Sequence, residues 1–222
     1  MPSVKLPRKS TDTDMTPFVD IAFLILSFFI MATKFKPPEP VEITTPGSVL
    51  SQKLPESNAV MITVDSANRV FFSVLSDKDK SKYDVVIQGI NESQNLNLSP
   101  AEMKDFSKVF AVGVPFGSLK EYLSMSDEEQ KKVKQPGIPV LDSANNQLYW
   151  WILESKKAFV GEKLNFLIKG DQKSKYPTFE AVVSALKRND EFKYNLVTAL
   201  DDVPSGSELD KVLKVQGKVE KN

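Results

Sequence analysis

The 222 residues include no cysteine and no histidine. This double absence removes the thiolate nucleophile, the Ser-His-Asp triad, the usual zinc ligand sets and haem ligation through His or Cys. Most familiar enzyme chemistry goes with them, so the chain is expected to be no enzyme and to need no metal and no cofactor. No disulfide can form either, which leaves the redox compartment open. Excess charge is lacking too: 29 basic residues cancel 29 acidic ones. With no basic stripe interleaved with aromatics, nucleic acid is not an expected partner.

Long apolar runs are scarce, with one exception. Thr16 to Thr33, TPFVDIAFLILSFFIMAT, is the only stretch apolar enough to cross a membrane. Eighteen residues at about 1.5 Å each give roughly 27 Å, just short of a ~30 Å hydrocarbon core, so the span works with wetted ends or a slightly thinned bilayer. A cleaved signal peptide is the alternative, because Lys5, Arg8 and Lys9 precede the run. No small-x-small pattern follows Ile30, however, and a retained anchor is expected. Lys34 and Lys36 beyond the run leave only a slight positive-inside bias. Since long domains translocate largely regardless of charge, the amino terminus is placed in the cytoplasm and everything after about Phe35 outside.

Asp20 sits inside that run. A carboxylate there costs roughly 2.5 to 3.5 kcal/mol at a central position, and an ionisable residue in a span is by default a candidate for an ion or proton pathway. In a helix, Asp14 or Thr16 can cap the start and Pro17 suits the first turn, where its missing N–H costs nothing. Steps of four and seven from Asp20 reach Thr16, Leu24 and Ser27, lining a carboxylate and two hydroxyls along one side, while Phe18, Ile25 and Phe29 lie elsewhere. Two readings of Asp20 stand: a titrating coupling group, or a hydrogen-bonding group that only pairs helices. Ser27 likewise is either a second relay position or a hydroxyl bonded to its own backbone.

After the span the chain changes character. Lys36-Pro37-Pro38-Glu39-Pro40-Val41 and the Thr-Thr-Pro-Gly that follows cannot form helix, and an extended tether is expected to about Leu54-Pro55. It either reaches a partner or is a passive spacer. Val60 to Val64, a turn at Asp65 to Asn68, and Val70 to Val74 read as a hairpin. Further on come a helix from Gln147 to Lys157, a strand Leu164 to Ile168, a helix Pro177 to Lys187 and a strand Lys193 to Ala199. Strand, helix and strand in that order predict a parallel crossover. The Trp150-Trp151 pair reads as core.

Between hairpin and helix lies an insertion of about seventy residues, 77–146. Ser99-Pro100-Ala101-Glu102 is a capping box that predicts a helix from Pro100 to about Phe110, and Ser126-Asp127-Glu128-Glu129 repeats the device. Val112 to Gly117 reads as a loop with exposed apolar residues. The insertion is expected to be at least partly ordered, as decoration or as a binding element.

The segment Asp14-Met15-Thr16-Pro17-Phe18-Val19-Asp20-Ile21-Ala22-Phe23-Leu24-Ile25-Leu26 resembles the signature of the ExbD/TolR family. A second block, Leu164 to Asp171, then Tyr176, Ala181 to Lys187 and Tyr194 to Thr198, resembles the distal part of the family's periplasmic domain, and the Trp150-Trp151 segment is similar to that of a Bacteroidetes-like branch. The resemblance implies a single-pass inner-membrane protein, working as a homodimer of helices within a ring of an ExbB/TolQ-like multi-span partner. Such a protein converts proton flow into work on a TonB-like energy transducer, and the family's membrane Asp corresponds to Asp20. Ser27 departs from the many members that are apolar there. A carboxylate that is costly to hold charged in hydrocarbon can switch a helix between two environments by gaining and losing a proton, and one charge crossing 100 mV supplies about 2.3 kcal/mol, commensurate with the burial cost.

The expected fold is α/β: a cytoplasmic tail 1–15, a transmembrane helix 16–34, an extended linker 35–57, and a small periplasmic domain 58–202. Helices pack on a mixed sheet in that domain, the insertion interrupts it, and a tail follows from 203 to 222. The functional expectation is a proton-motive-force-coupled motor subunit, with Asp20 coupling, Thr16 and Ser27 on the polar face and Pro17 at helix entry. The alternative is a membrane-anchored binding module in which Asp20 only pairs helices.

Overall fold

The computed structural model describes residues 15–32, 41–48, 55, 58–76 and 79–200. Expectations for the amino-terminal tail, for Pro37 to Pro40 and for the tail from 203 lie outside the described residues. The chain divides into two units, Met1–Pro38 and Glu39–Asn222.

The first unit contains helix α1, Thr16–Ala32. Pro17 sits in its first turn, and the N–H groups of Phe18 and Val19 both donate to the Met15 carbonyl at 3.1 Å. Seventeen residues at 1.5 Å rise make about 26 Å. None of the described helices is long and apolar enough to cross a membrane. The expected span to Lys34 ends two residues past α1, at positions outside the described set.

The second unit is a mixed α/β domain. Strands β1 (Gly47–Ser48), β2 (Ala59–Val64) and β3 (Val70–Leu75) come first. Helices α2 (Ser81–Gln94), α3 (Pro100–Phe106), α4 (Phe116–Ser124), α5 (Asp127–Lys132) and α6 (Leu148–Ala158) follow. The chain closes with β4 (Asn165–Gly170), α7 (Tyr176–Arg188), β5 (Asn195–Val197) and β6 (Ala199–Leu200). The main sheet has the order β3-β2-β4-β5, with β2 antiparallel to β3 and parallel to β4, and β4 parallel to β5. The hairpin, the mixed sheet and the parallel β4-α7-β5 connection agree with the sequence reading. The last strand is shorter than expected and breaks at Thr198, beyond which β6 pairs with β1 instead.

The hairpin turn is set by Asp65, whose carboxylate accepts the N–H groups of Ala67 (3.0 Å) and Arg69 (2.8 Å) and binds the Arg69 guanidinium at 2.6 Å. This side-chain-to-backbone bonding is what favours Asp in turns. Alternation then divides the sheet: Val60, Ile62, Val64, Val70, Phe72, Val74, Phe166 and Ile168 enter one continuous core. Trp151 from α6 is fully buried there, with its ring 5.0 Å from Phe72, 5.7 Å from Phe106 and 5.8 Å from Phe116. Two of those rings, Phe106 and Phe116, come from the 77–146 stretch, so the domain's central tryptophan is housed partly by it. Burying side chains of this size contributes roughly 1.5–3 kcal/mol each.

Two sequence expectations change, and one helix was not expected. The Val112 to Gly117 stretch is no exposed loop: Val112, Val114 and Phe116 are buried, Val112 exchanges two 2.8 Å hydrogen bonds with Phe72, and Phe116 begins α4. The helix from Pro100 ends at Phe106 rather than about Phe110, because the chain must turn to bring Val112 to the sheet. Helix α2, unassigned in the sequence reading, packs Val86, Ile87 and Ile90 into the core beside α6. Both capping boxes form, at Ser99 with Glu102 and at Ser126 with Glu129.

Candidate functional site

In α1, Asp20 lies one turn past Thr16 and about two turns before Ser27. Every described residue of this helix is exposed except Ser27, which is half-buried. The Ser27 hydroxyl donates to the Leu24 carbonyl at 2.9 Å, so it is engaged by its own helix. Around the carboxylate the surface is apolar: Phe18, Phe23, Phe28, Phe29 and Met31 are 59 to 88% exposed. An exposed apolar surface of this extent, interrupted only by Asp20 and the hydroxyls of Thr16 and Ser27, marks a site of protein or membrane contact.

The domain presents a second constellation where the tether meets the sheet. Residues 41–48 contain no helix, and none of their side chains is buried. The Thr44 N–H donates to Asp171 Oδ2 at 2.9 Å, and the Gln172 N–H donates to the Thr44 carbonyl at 3.0 Å. Gln172 Nε2 reaches the Thr45 carbonyl at 3.3 Å, and the Ala199 N–H donates to the Pro46 carbonyl at 2.9 Å. Strands β1 and β6 form a separate two-stranded parallel sheet, pairing Gly47 with Ala199 and Ser48 with Leu200. Residues 44–48 are thus tied to the domain by these backbone bonds and by pairing with β6.

Asp171 organises this junction. It is 7% exposed and accepts the Lys173 N–H at 2.8 Å as well as that of Thr44. The Lys173 N–H first, then the Thr44 N–H, hold its carboxyl below the ordinary carboxylate value, with the Lys173 charge adding to them. Next to it lies a cleft of about 280 Å³ whose walls include Pro46, Ile168, Tyr176, Phe179 and Leu196.

The opposite edge of the sheet is closed. Besides the Val112 bridge to β3, the Ile138 N–H donates to the Val70 carbonyl at 2.8 Å and the Gly137 N–H to the Gly113 carbonyl at 2.6 Å. Buried Gln135 locks these segments. Its amide donates to the Tyr122 hydroxyl (2.9 Å) and the Ala111 carbonyl (3.3 Å), its Oε1 accepts the Gly113 N–H, and its backbone carbonyl accepts Arg69 Nη1 at 2.9 Å. Burial pushes the Tyr122 hydroxyl up, opposed by its hydrogen bond to Gln135. Among the described residues no group of three His, Cys, Asp or Glu side chains gathers to hold a metal.

A carboxylate in an apolar helix, a tether and a small mixed-sheet domain form one continuous pattern, and the family model described as biopolymer transport protein ExbD/TolR matches residues 7–201. The chain belongs to the ExbD/TolR family. No curated protein and no solved structure matches it. The ExbD/TolR match runs through α1, the tether and the domain as far as β6, insertion included. Asp20, Thr16, Ser27 and Pro17 all fall on α1, whereas Asp171 and Gln135 were not singled out in the sequence. Asp171 was legible as a carboxylate directly after a strand and before a Gln-Lys-Ser-Lys turn; Gln135 carried no signal, because its partners are far away in sequence.

Proposed function

We propose that this ExbD/TolR protein is a non-enzymatic inner-membrane subunit that couples the proton-motive force to transport at the outer membrane. The stretch 16–34 is its single membrane anchor, with the amino terminus cytoplasmic, 35–57 the linker and 58–202 the periplasmic domain. Two copies pair their helices inside a ring of an ExbB/TolQ-like partner, and the output passes to a TonB-like transducer. One observation carries this reading: in a chain of this family, the apolar helix α1 bears a single carboxylate, Asp20, within an otherwise exposed apolar surface.

In this role Asp20 takes and releases the coupled proton, and the helix prefers a different surrounding in each state. Thr16 lies on the same side one turn away, and Pro17 starts the helix without wasting a donor. Labelling tests the reading. A hydrophobic carbodiimide reacts with protonated carboxyls inside a bilayer, so it is expected to modify Asp20 in membranes and to stop energy-dependent transport. An Asp20→Asn protein is expected to take up no label. Transport that continues after complete modification of Asp20 contradicts the proposal.

A further inference from the structure

A piece of the tether, β1, pairs with β6 in a two-stranded sheet separate from the main one. Hydrogen bonds to Asp171, Gln172 and Ala199 hold Thr44 to Pro46, with no buried side chain to reinforce them. Segments held by exposed backbone bonds and little apolar burial open at far lower free energy than the core they rest on. Asp171 belongs to that core side: it follows β4 directly, its own N–H donates to the Val64 carbonyl at 2.9 Å, and it is braced by the Lys173 N–H. Pro46, on the detachable side, forms part of the wall of the 280 Å³ cleft.

We propose that residues 41–48 are a detachable strap, latched by the Asp171 carboxylate, that supplies one wall of the cleft beside Tyr176, Phe179 and Leu196 when docked and takes that wall away when pulled off the domain. The latch is a fixed acceptor on the domain, and its donor, the Thr44 N–H, rides on the tether. The strap also occupies the strand position next to Ala199, so its departure frees that backbone together with the cleft. The force that would pull it rests on the proposed function, in which the tether connects a proton-driven membrane helix to the domain.

Two sets of measurements on the full chain in lipid nanodiscs and in cells test the proposal. In nanodiscs, Asp171→Ala removes the latch, and Thr44→Pro removes only the donor while leaving Asp171 and its bond to Lys173 intact. Hydrogen exchange at the Gln172 and Ala199 amides is expected to rise tenfold or more in both variants, with the Ile168 amide inside β4 unchanged. Unchanged exchange at Ala199 in both variants overturns the latch. For the functional arm, the chain has no native cysteine, and Gly47 and Ala199 are register partners in a parallel pair. Their Cα atoms are therefore about 4.8 Å apart, within disulfide reach. Oxidised Gly47→Cys/Ala199→Cys protein is expected to lose most energy-dependent transport in cells lacking the native copy, and reductant is expected to restore it. Full transport with the strap locked, while Asp20→Asn is inactive, overturns the strap and leaves the motor standing. Transport by Asp20→Asn overturns the motor, and the exchange experiment still decides the latch.

Discussion

Asp20 and Asp171, the carboxylates on which the two proposals rest, have different surroundings. Asp171 is sheltered and accepts two backbone N–H groups, which hold its carboxyl below the ordinary carboxylate value. A depressed folded-state value means that the group contributes stability above the unfolded carboxylate pKa of about 3.9 and loses it as the pH falls through the lower folded value. Protection of the Thr44 and Lys173 amides is therefore expected to hold from neutral pH down through the ordinary carboxylate range and to fail only as the pH falls through the lower folded value of Asp171. Protection at Thr44 that is lost well above the ordinary carboxylate range would mean that the carboxylate does not hold the strap. Ser27 has a simpler expectation. Since its hydroxyl is bonded to the Leu24 carbonyl of its own helix, Ser27→Ala is expected to keep transport within about twofold of the native protein, because such a back-bond contributes little to helix stability. A large loss would make Ser27 a relay.

At the scale of elements, the stretch 111–138 closes one edge of the sheet, which protects β3 from pairing with other chains. Gln135 is the lock, and Gln135→Ala would leave the Gly113 N–H and the Tyr122 hydroxyl without the partners they have now. At roughly 1–3 kcal/mol for each buried group left unpaired, a loss of about 2–6 kcal/mol is expected in denaturant unfolding. Gly137→Ala is expected to act at the same place, because its φ is +97° and a Cβ there would sit 2.9 Å from Arg69 Cβ and 3.0 Å from Val70 N. A variant as stable as the native protein would show that the edge contact is dispensable. These contacts also show why the sequence was only partly readable. The hairpin, the two capping boxes, α6, β4 and α7 announce themselves through local signals: alternation, Ser-x-x-Glu spacing and helical periodicity. The course of 111–114 and 137–138 depends on partners at Val70 and Phe72, some forty to seventy residues away, and nothing local distinguishes a buried Val-Gly-Val from an exposed one. Helix α2 was legible in principle from Tyr83, Val86, Ile87 and Ile90, which recur at helical spacing. The docking of the tether was not, since a Pro-bearing polar stretch reads as a linker until Asp171 is seen beside Thr44.

For the whole molecule, the ExbD/TolR match joins an apolar helix and an α/β domain in one chain, and the central claim is that the proton on Asp20 drives what the domain does. Substituting Asp20→Asn keeps the size and hydrogen-bonding shape of the side chain and removes only its titration. Energy-dependent transport is best measured in cells lacking the native copy, with equal membrane levels of the native, Asp20→Asn and Asp20→Glu proteins. Asp20→Asn is expected to abolish transport while the domain folds normally, and Asp20→Glu to retain part of it with a shifted pH optimum. Native rates from Asp20→Asn would contradict the account: Asp20 would then be a helix-pairing group, and the chain an anchored binding module.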